Sequence, residues 1–289
     1  MKDSKLTAKP FVKWAGGKYR LADKLIPLIS KKFNPLKNTY IEPMAGSGGF
    51  FFKYAPKYAY LSDINQNLIT TYKTVRNDVH DLIMQLEHHR ELHVDEEYFY
   101  QQRKLFNQLI KKGGSELKIA SLFIYLNKTC FNGLYRENSK GEFNVPVGKN
   151  SKGQLLPMAY DKDNLLALSE LLKSVDIACH GYQNAIDKVK KGDFVYIDPP
   201  YIPLDHISFT QYSKGDFGIK EHKELSTFCD YIDSKEAYFM LSNSDTKDTR
   251  DIYLKEGCFS KEFVVSRSIA SKAKNRTKAK ELIITNYEL

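Results

Sequence analysis

Asp198-Pro199-Pro200-Tyr201 is the tetrapeptide of this sequence best suited to do chemistry. A carboxylate closes an apolar run, Phe194-Val-Tyr-Ile197, and two prolines then remove backbone donors and fix φ. The segment is dominated by acceptors, the Asp198 carboxylate and the Pro199 carbonyl, with an aromatic ring beside them. Such a set suits an amino group on a planar ring, on whose face Tyr201 can stack. Upstream, Glu42-Pro-Met-Ala-Gly46-Ser-Gly48-Gly49 follows a β-branched and aromatic run and leads into Phe50-Phe-Phe. Its small residues allow close approach of a ligand. Phe51 stands where the dinucleotide pattern GxGxxG needs its third glycine, which argues against a tightly seated pyrophosphate. Asp63 ends the next extended run, where a carboxylate can accept hydrogen bonds from ribose hydroxyls. A nucleoside cofactor without a diphosphate is expected. Trp14-Ala-Gly-Gly-Lys18 lacks the P-loop spacer and the following Ser or Thr, so it reads as an apolar wall with a carboxylate-binding cation.

Other constellations are weaker. His89 and His93 are four residues apart, yet Arg90-Glu91-Leu92 between them is not HExxH and no third ligand suggests itself, so no metal is expected. No GxSxG nucleophile motif is present. Six of the nine excess positive charges lie between Phe263 and Lys280, a stretch without an acid. A local basic stretch of this kind is the usual footprint of phosphate contact.

Positioning these groups requires an open sheet that presents its strand ends. Thr39–Pro43, Ala59–Asp63, Asp193–Asp198 and Ala237–Leu241 read as strands, with a helix over Glu221–Asp233. Phe263–Ile269 and Glu281–Tyr287 read as a final antiparallel pair around the basic stretch. From about Asn65 to Asn150 the texture becomes charged and helical, with apolar residues at helical spacing in Asp81–Leu92 and Ile119–Leu126. Gly133–Glu137 and Glu142–Pro146, around the turn Asn138–Gly141, read as a β-hairpin. The expected fold is α/β: a Rossmann-like, mostly parallel sheet with a terminal antiparallel strand, plus an inserted helical domain carrying the hairpin. Residues 1–65 and 151–289 would form the sheet domain and 66–150 the insertion.

The 289 residues suffice for a sizeable core. No apolar run approaches the roughly 18 residues of a membrane helix, and the N-terminus has no apolar leader. Four scattered cysteines form neither a CxxC pair nor a disulfide framework. A reduced, soluble, cytoplasmic protein is expected, with no membrane partner and acting as a monomer.

Taken together, Phe11–Lys18 (FVKWAGGK), Glu42–Gly48 (EPMAGSG), Ser62–Asn65 (SDIN), Cys130–Asn138 (CFNGLYREN), Gly141–Gly148 (GEFNVPVG) and Asp198–Leu204 (DPPYIPL) resemble the Dam-type, α-group adenine-N6 DNA methyltransferases. The resemblance covers essentially the whole chain. It implies transfer of a methyl group from S-adenosyl-L-methionine to adenine N6, with S-adenosyl-L-homocysteine as product, normally within GATC in double-stranded DNA. By resemblance Asp198, Pro199 and Tyr201 are catalytic, and Trp14, Lys18, Glu42, Gly46, Gly48, Asp63, Ile64 and Asp198 contact the cofactor. Lys13, Phe131, Asn132, Leu134, Arg136, Asn138, Asn144 and Pro146 fall on positions that read or replace bases. Lys149, Lys272, Lys274 and Arg276 would touch phosphates. Phe131 stands where some relatives have Tyr; stacking survives, but any contact through the hydroxyl is lost. The chemistry agrees: acceptors at Asp198 and Pro199 direct the N6 lone pair at an activated methyl, so no metal or covalent intermediate is required. A base inside a duplex must be flipped out, which costs a few kcal/mol. An RNA or cytosine-N4 amino-methyltransferase is the nearest alternative, although the latter usually carry Ser at the Asp198 position. A catalytically idle DNA-binding regulator is a more distant one.

Overall fold

The computed structural model describes residues 8–203, 217–266 and 278–289. Seven strands form one sheet: β1 (Tyr40–Glu42), β2 (Ala59–Asp63), β3 (Val175–Cys179), β4 (Phe194–Ile197), β5 (Tyr238–Ser244), β6 (Phe259–Ser266) and β7 (Lys278–Thr285). Their order is β3-β2-β1-β4-β5-β7-β6. β2, β1, β4 and β5 run parallel, with Tyr40 opposite both Ala59 and Phe194, and Ile197 opposite Leu241. β7 runs antiparallel to both of its neighbours, which places Ser244 opposite Glu281 on one side and Phe263 opposite Glu281 on the other. The mostly parallel sheet with a terminal antiparallel element is therefore present. Its inner strands are buried on both faces, as continuous apolar runs such as Phe194–Ile197 and Leu282–Ile284 demand.

The helices are α1 (Ala22–Leu25), α2 (Gly49–Tyr54), α3 (Gln66–Asn77), α4 (Val79–Leu92), α5 (Glu96–Lys112), α6 (Glu116–Thr129), α7 (Lys162–Leu172), α8 (Ile219–Ser234) and α9 (Lys247–Tyr253). Several begin at side-chain caps: Asn65 accepts from the Leu68 N–H, Asp95 from Tyr98, Asp161 from Asn164 and Thr246 from Thr249. α6 is buried almost all round, from Ile119 to Asn127, because α3, α4 and α5 all pack against it.

The chain divides into two compact units. The first comprises residues 1–24, 45–55 and 63–179; the second comprises 25–44, 56–62 and 180–289. Within the first, the predicted hairpin pairs antiparallel through isolated bridges, Cys130 with Val147 and Glu137 with Phe143, rather than through continuous strands. Side chains take over part of the backbone bonding. Asn107 bonds both the N–H and the carbonyl of Phe143, Arg103 donates to the Val145 carbonyl, and Asn138 caps the turn. Within the second unit, α8 packs on β5 and α9 on α8.

Candidate functional site

In the first unit the glycine-rich loop is held by its own walls. Gly46 has φ of +49°, and a Cβ there would lie 2.9 Å from Trp14 Cδ1. Gly48, at φ of +65°, caps α2, and a Cβ would lie 2.6 Å from the Tyr72 hydroxyl. Left-handed backbone and occupied space both demand glycine here. The Gly46 N–H donates to Asp63 Oδ2 at 2.9 Å, and the Tyr72 hydroxyl donates to the Gly46 carbonyl at 3.0 Å. Asp63 Oδ1 accepts from the Asn65 N–H at 2.9 Å. Burial raises the Asp63 pKa, while backbone N–H groups of Asn65, Gly46 and Ile64 oppose the shift by bonding the anion. Those three donors take three of the roughly four acceptor directions that the two carboxylate oxygens offer. Lys18 is buried, with Nζ 2.6 Å from the Gly16 carbonyl, and Ile64 is 81% exposed beside Asp63. Trp14 stacks on Tyr135 with centroids 5.5 Å apart and Phe123 nearby.

The same unit gathers the residues that the sequence suggests for base reading. Asn127, fully buried in α6, accepts from the Lys13 N–H at 2.8 Å and donates to the carbonyls of Lys13 and Gly133. The Lys13 stem lies over Gly133, where a Cβ would meet Lys13 Cδ at 2.3 Å. Asn132 takes a left-handed φ of +55°, which Asn tolerates better than most residues. Phe131 is half-exposed, and its N–H donates to the Pro146 carbonyl at 2.9 Å. Leu134 is half-buried. Arg136 Nε donates to Asn144 Oδ1 at 2.8 Å, so two expected reading residues orient one another. Asn138 is used as a turn former: Oδ1 accepts from the N–H groups of Lys140 and Glu142. Lys149 Nζ is 2.5 Å from Glu96 Oε1. Lys272, Lys274 and Arg276 lie outside the described residues; Lys280, which is described, donates to Glu262 Oε2 at 2.9 Å.

In the second unit, Glu42 is buried and accepts from the Tyr40 hydroxyl at 2.5 Å. Asp198 follows β4 directly; it is half-buried, Pro199 is buried and Pro200 is exposed. The Tyr201 hydroxyl donates to Glu281 Oε1 at 2.7 Å, and burial beside Asp198 and Glu281 pushes its pKa far above the usual phenol value. The Ile202 N–H donates to Asn243 Oδ1 at 3.1 Å, and Ser244 Oγ donates to the Ile202 carbonyl. Beneath them the Tyr196 hydroxyl and Ser242 Oγ are 2.9 Å apart. Buried His222 lies with Nδ1 2.7 Å from the Tyr253 hydroxyl. Burial lowers its pKa to about 4, against opposing contributions from Glu221 and the Pro200 carbonyl.

His89 and His93 are spent on tyrosines, with Nδ1 atoms 2.8 Å and 2.7 Å from the Tyr98 and Tyr125 hydroxyls. Among the described residues no group of three His, Cys, Asp or Glu is placed to hold a metal ion. Asn127, Asn243 and Glu281 carry no motif of their own. The one available signal was polarity in an apolar context, such as Asn127 closing Phe123-Ile-Tyr-Leu126.

A carboxylate and proline pair at the end of an inner parallel strand, in a sheet that closes with an antiparallel strand, defines an α/β fold of the methyltransferase type. Residues 14–266 match the family model described as D12 class N6 adenine-specific DNA methyltransferase. The chain is 41% identical to the type II methyltransferase M.MjaIII of Methanocaldococcus jannaschii, over 98% of this chain and all of that one. It is 35% identical to the DNA adenine methylase of Haemophilus influenzae (96% and 94% covered) and 32% identical to that of Escherichia coli K12 (95% and 94%). The chain belongs to the D12 class of N6 adenine-specific DNA methyltransferases. It is an enzyme, and its substrate is DNA. Among the described residues no helix is long and apolar enough to cross a membrane.

Proposed function

We propose that this methyltransferase uses S-adenosyl-L-methionine, releases S-adenosyl-L-homocysteine, and modifies adenine in GATC of double-stranded DNA after flipping the base. The observation that carries the reading is the acceptor set Asp198–Pro199 beside a Tyr201 ring whose hydroxyl is tied to Glu281. The cofactor fits the groups of the first unit: Asp63 with one acceptor direction left for a ribose hydroxyl, exposed Ile64 for a purine face and buried Lys18 as a cation for a carboxylate. Trp14, Gly46 and Gly48 shape that wall. When bound, the cofactor supplies an electrophilic methyl group. Asp198 and the Pro199 carbonyl accept hydrogen bonds from the two N6–H groups and favour a pyramidal nitrogen, whose lone pair then points in line for displacement; as the N–C bond forms and the C–S bond breaks, one N6 proton is lost. Tyr201 stacks on the extrahelical adenine, offsetting part of the cost of unstacking it.

Residues 66–150 act as the target-recognition domain. Arg136, steadied by Asn144, suits guanine O6 and N7 in the major groove. Half-exposed Phe131 and left-handed Asn132 suit filling the vacated stack, with Lys13, Leu134, Asn138 and Pro146 alongside. Lys149, Lys272, Lys274 and Arg276 meet phosphates. The enzyme works as a monomer in the cytoplasm. Expression in a host that lacks adenine methylation, followed by digestion with restriction enzymes that GATC methylation blocks or activates, tests this reading. Protection at GATC is expected for the wild type and its loss for Asp198→Ala. Adenine methylation confined to another sequence would overturn the GATC assignment.

A further inference from the structure

We propose that Glu281, with Asn243 and Ser244, clamps the segment that follows Asp198-Pro199-Pro200, and that Glu281 is a positioning residue for the Tyr201 ring. This rests on the reading of Asp198–Tyr201 as the catalytic motif. Three hydrogen bonds, all in the second unit, converge on two consecutive residues. The Tyr201 hydroxyl donates to Glu281 Oε1 at 2.7 Å, the Ile202 N–H donates to Asn243 Oδ1 at 3.1 Å, and the Ile202 carbonyl accepts from Ser244 Oγ. Asn243, Ser244 and Glu281 are all buried, and Ser244 on β5 is directly opposite Glu281 on β7. The clamp is therefore built on paired strands and not on a loop, which is where a site gains its precision.

The Asn243 orientation is fixed by its network. Its Oδ1 accepts from both the Ile202 and Ser244 N–H groups, so a flipped carboxamide would face donor to donor. Its Nδ2 is buried without a hydrogen-bond partner among the described residues. An unsatisfied buried donor costs stability, and here that cost accompanies a residue that serves the motif's backbone. Two prolines cannot donate, so the segment has few backbone bonds of its own to hold it. Without the clamp, the Tyr201 ring would still exist but would sample rotamers, and N6 would lose its alignment with the methyl donor.

A double-mutant cycle of Tyr201→Phe and Glu281→Leu tests this, with Glu281→Gln as the conservative variant that keeps an acceptor. If Glu281 acts through the Tyr201 hydroxyl, each single change lowers kcat about tenfold, equal to one 1.4 kcal/mol step, with KM for duplex nearly unchanged. The double variant is then no worse than either single one, and Glu281→Gln restores most of the rate. A duplex with 2-aminopurine at the target adenine gives a second readout. Its emission should rise on binding to every variant and rise further with Glu281→Leu, where the base stacks less firmly on the ring. Additive losses, or unchanged kcat in both single variants of native melting temperature, would overturn the clamp while leaving the methyltransferase reading intact. Failure of the wild-type enzyme to label adenine would instead remove the reading on which the clamp rests.

Discussion

An alanine at position 46 would place its Cβ 2.9 Å from the Trp14 indole in a backbone with φ of +49°. Gly46→Ala is therefore expected to cost about 1–3 kcal/mol. Because Trp14 is the only tryptophan, the displacement should appear as a change in intrinsic fluorescence. Gly141→Ala is the control: its φ of +72° is also left-handed, but nothing lies within 4 Å of the new Cβ. It should cost less and leave the emission as it was. Arg136→Ala should lose about 1–3 kcal/mol of discrimination at one guanine, measured as relaxed preference among substituted duplexes. Equal activity of that variant on substituted and intact sites would take Arg136 out of the reading role. Asp198, Gly46 and Asp63 could be singled out as candidates from sequence because the motifs that suggest them are contiguous. Asn127, Glu281 and Asn243 could not. Their partners stand 114, 80 and 41 positions away, and only the folded sheet and helices bring them near.

At the scale of elements, apolar runs located the strands well. Ala59–Asp63 is a strand over its full predicted length, and the helix read at Glu221–Asp233 runs from Ile219 to Ser234. The edge strand β3 and helix α7 had no comparable signal, since β3 buries only Val175 and leaves Asp176 exposed and the rest half-buried. The hairpin was legible as a pairing but not in its detail. Asn107, Arg103 and Asn138 supply bonds that a regular ladder would have drawn from backbone, and side-chain substitution of that kind leaves no period-2 pattern. The basic stretch enters here too. Neutralising Lys272, Lys274 and Arg276 together should weaken binding to all duplexes alike and flatten the salt dependence by roughly 0.9 for each phosphate no longer neutralised. Lys280 is already paired with Glu262, so its neutralisation should change that slope less. A slope identical to that of the wild type would return the stretch to ordinary solvated surface.

For the molecule as a whole, pH links two buried imidazoles to stability. Burial lowers the pKa of both His89 and His222 from 6.5 to about 4. The unfolded chain takes up these protons below pH 6.5, whereas the folded protein resists them until about pH 4. Stability is therefore complete above pH 6.5 and falls as the pH drops towards 4, by at most about 3 kcal/mol for each histidine. Burial raises the Asp63 and Asp193 carboxyls, and these work in the opposite direction. The clean measurement is thus the difference in denaturant midpoint between wild type and His222→Gln across that range. The variant should show a shallower decline on acidification, and parallel curves would exclude His222 as a contributor.

β7 is the last strand in the chain, yet it is an inner strand of the sheet, hydrogen-bonded to β5 on one side and β6 on the other. A polypeptide terminated between β6 and Lys278 would leave both neighbours with a raw flank of unmet N–H and C=O groups, and would bare the apolar faces that Leu282–Ile284 cover. Such fragments are expected to self-associate rather than persist as shortened enzymes.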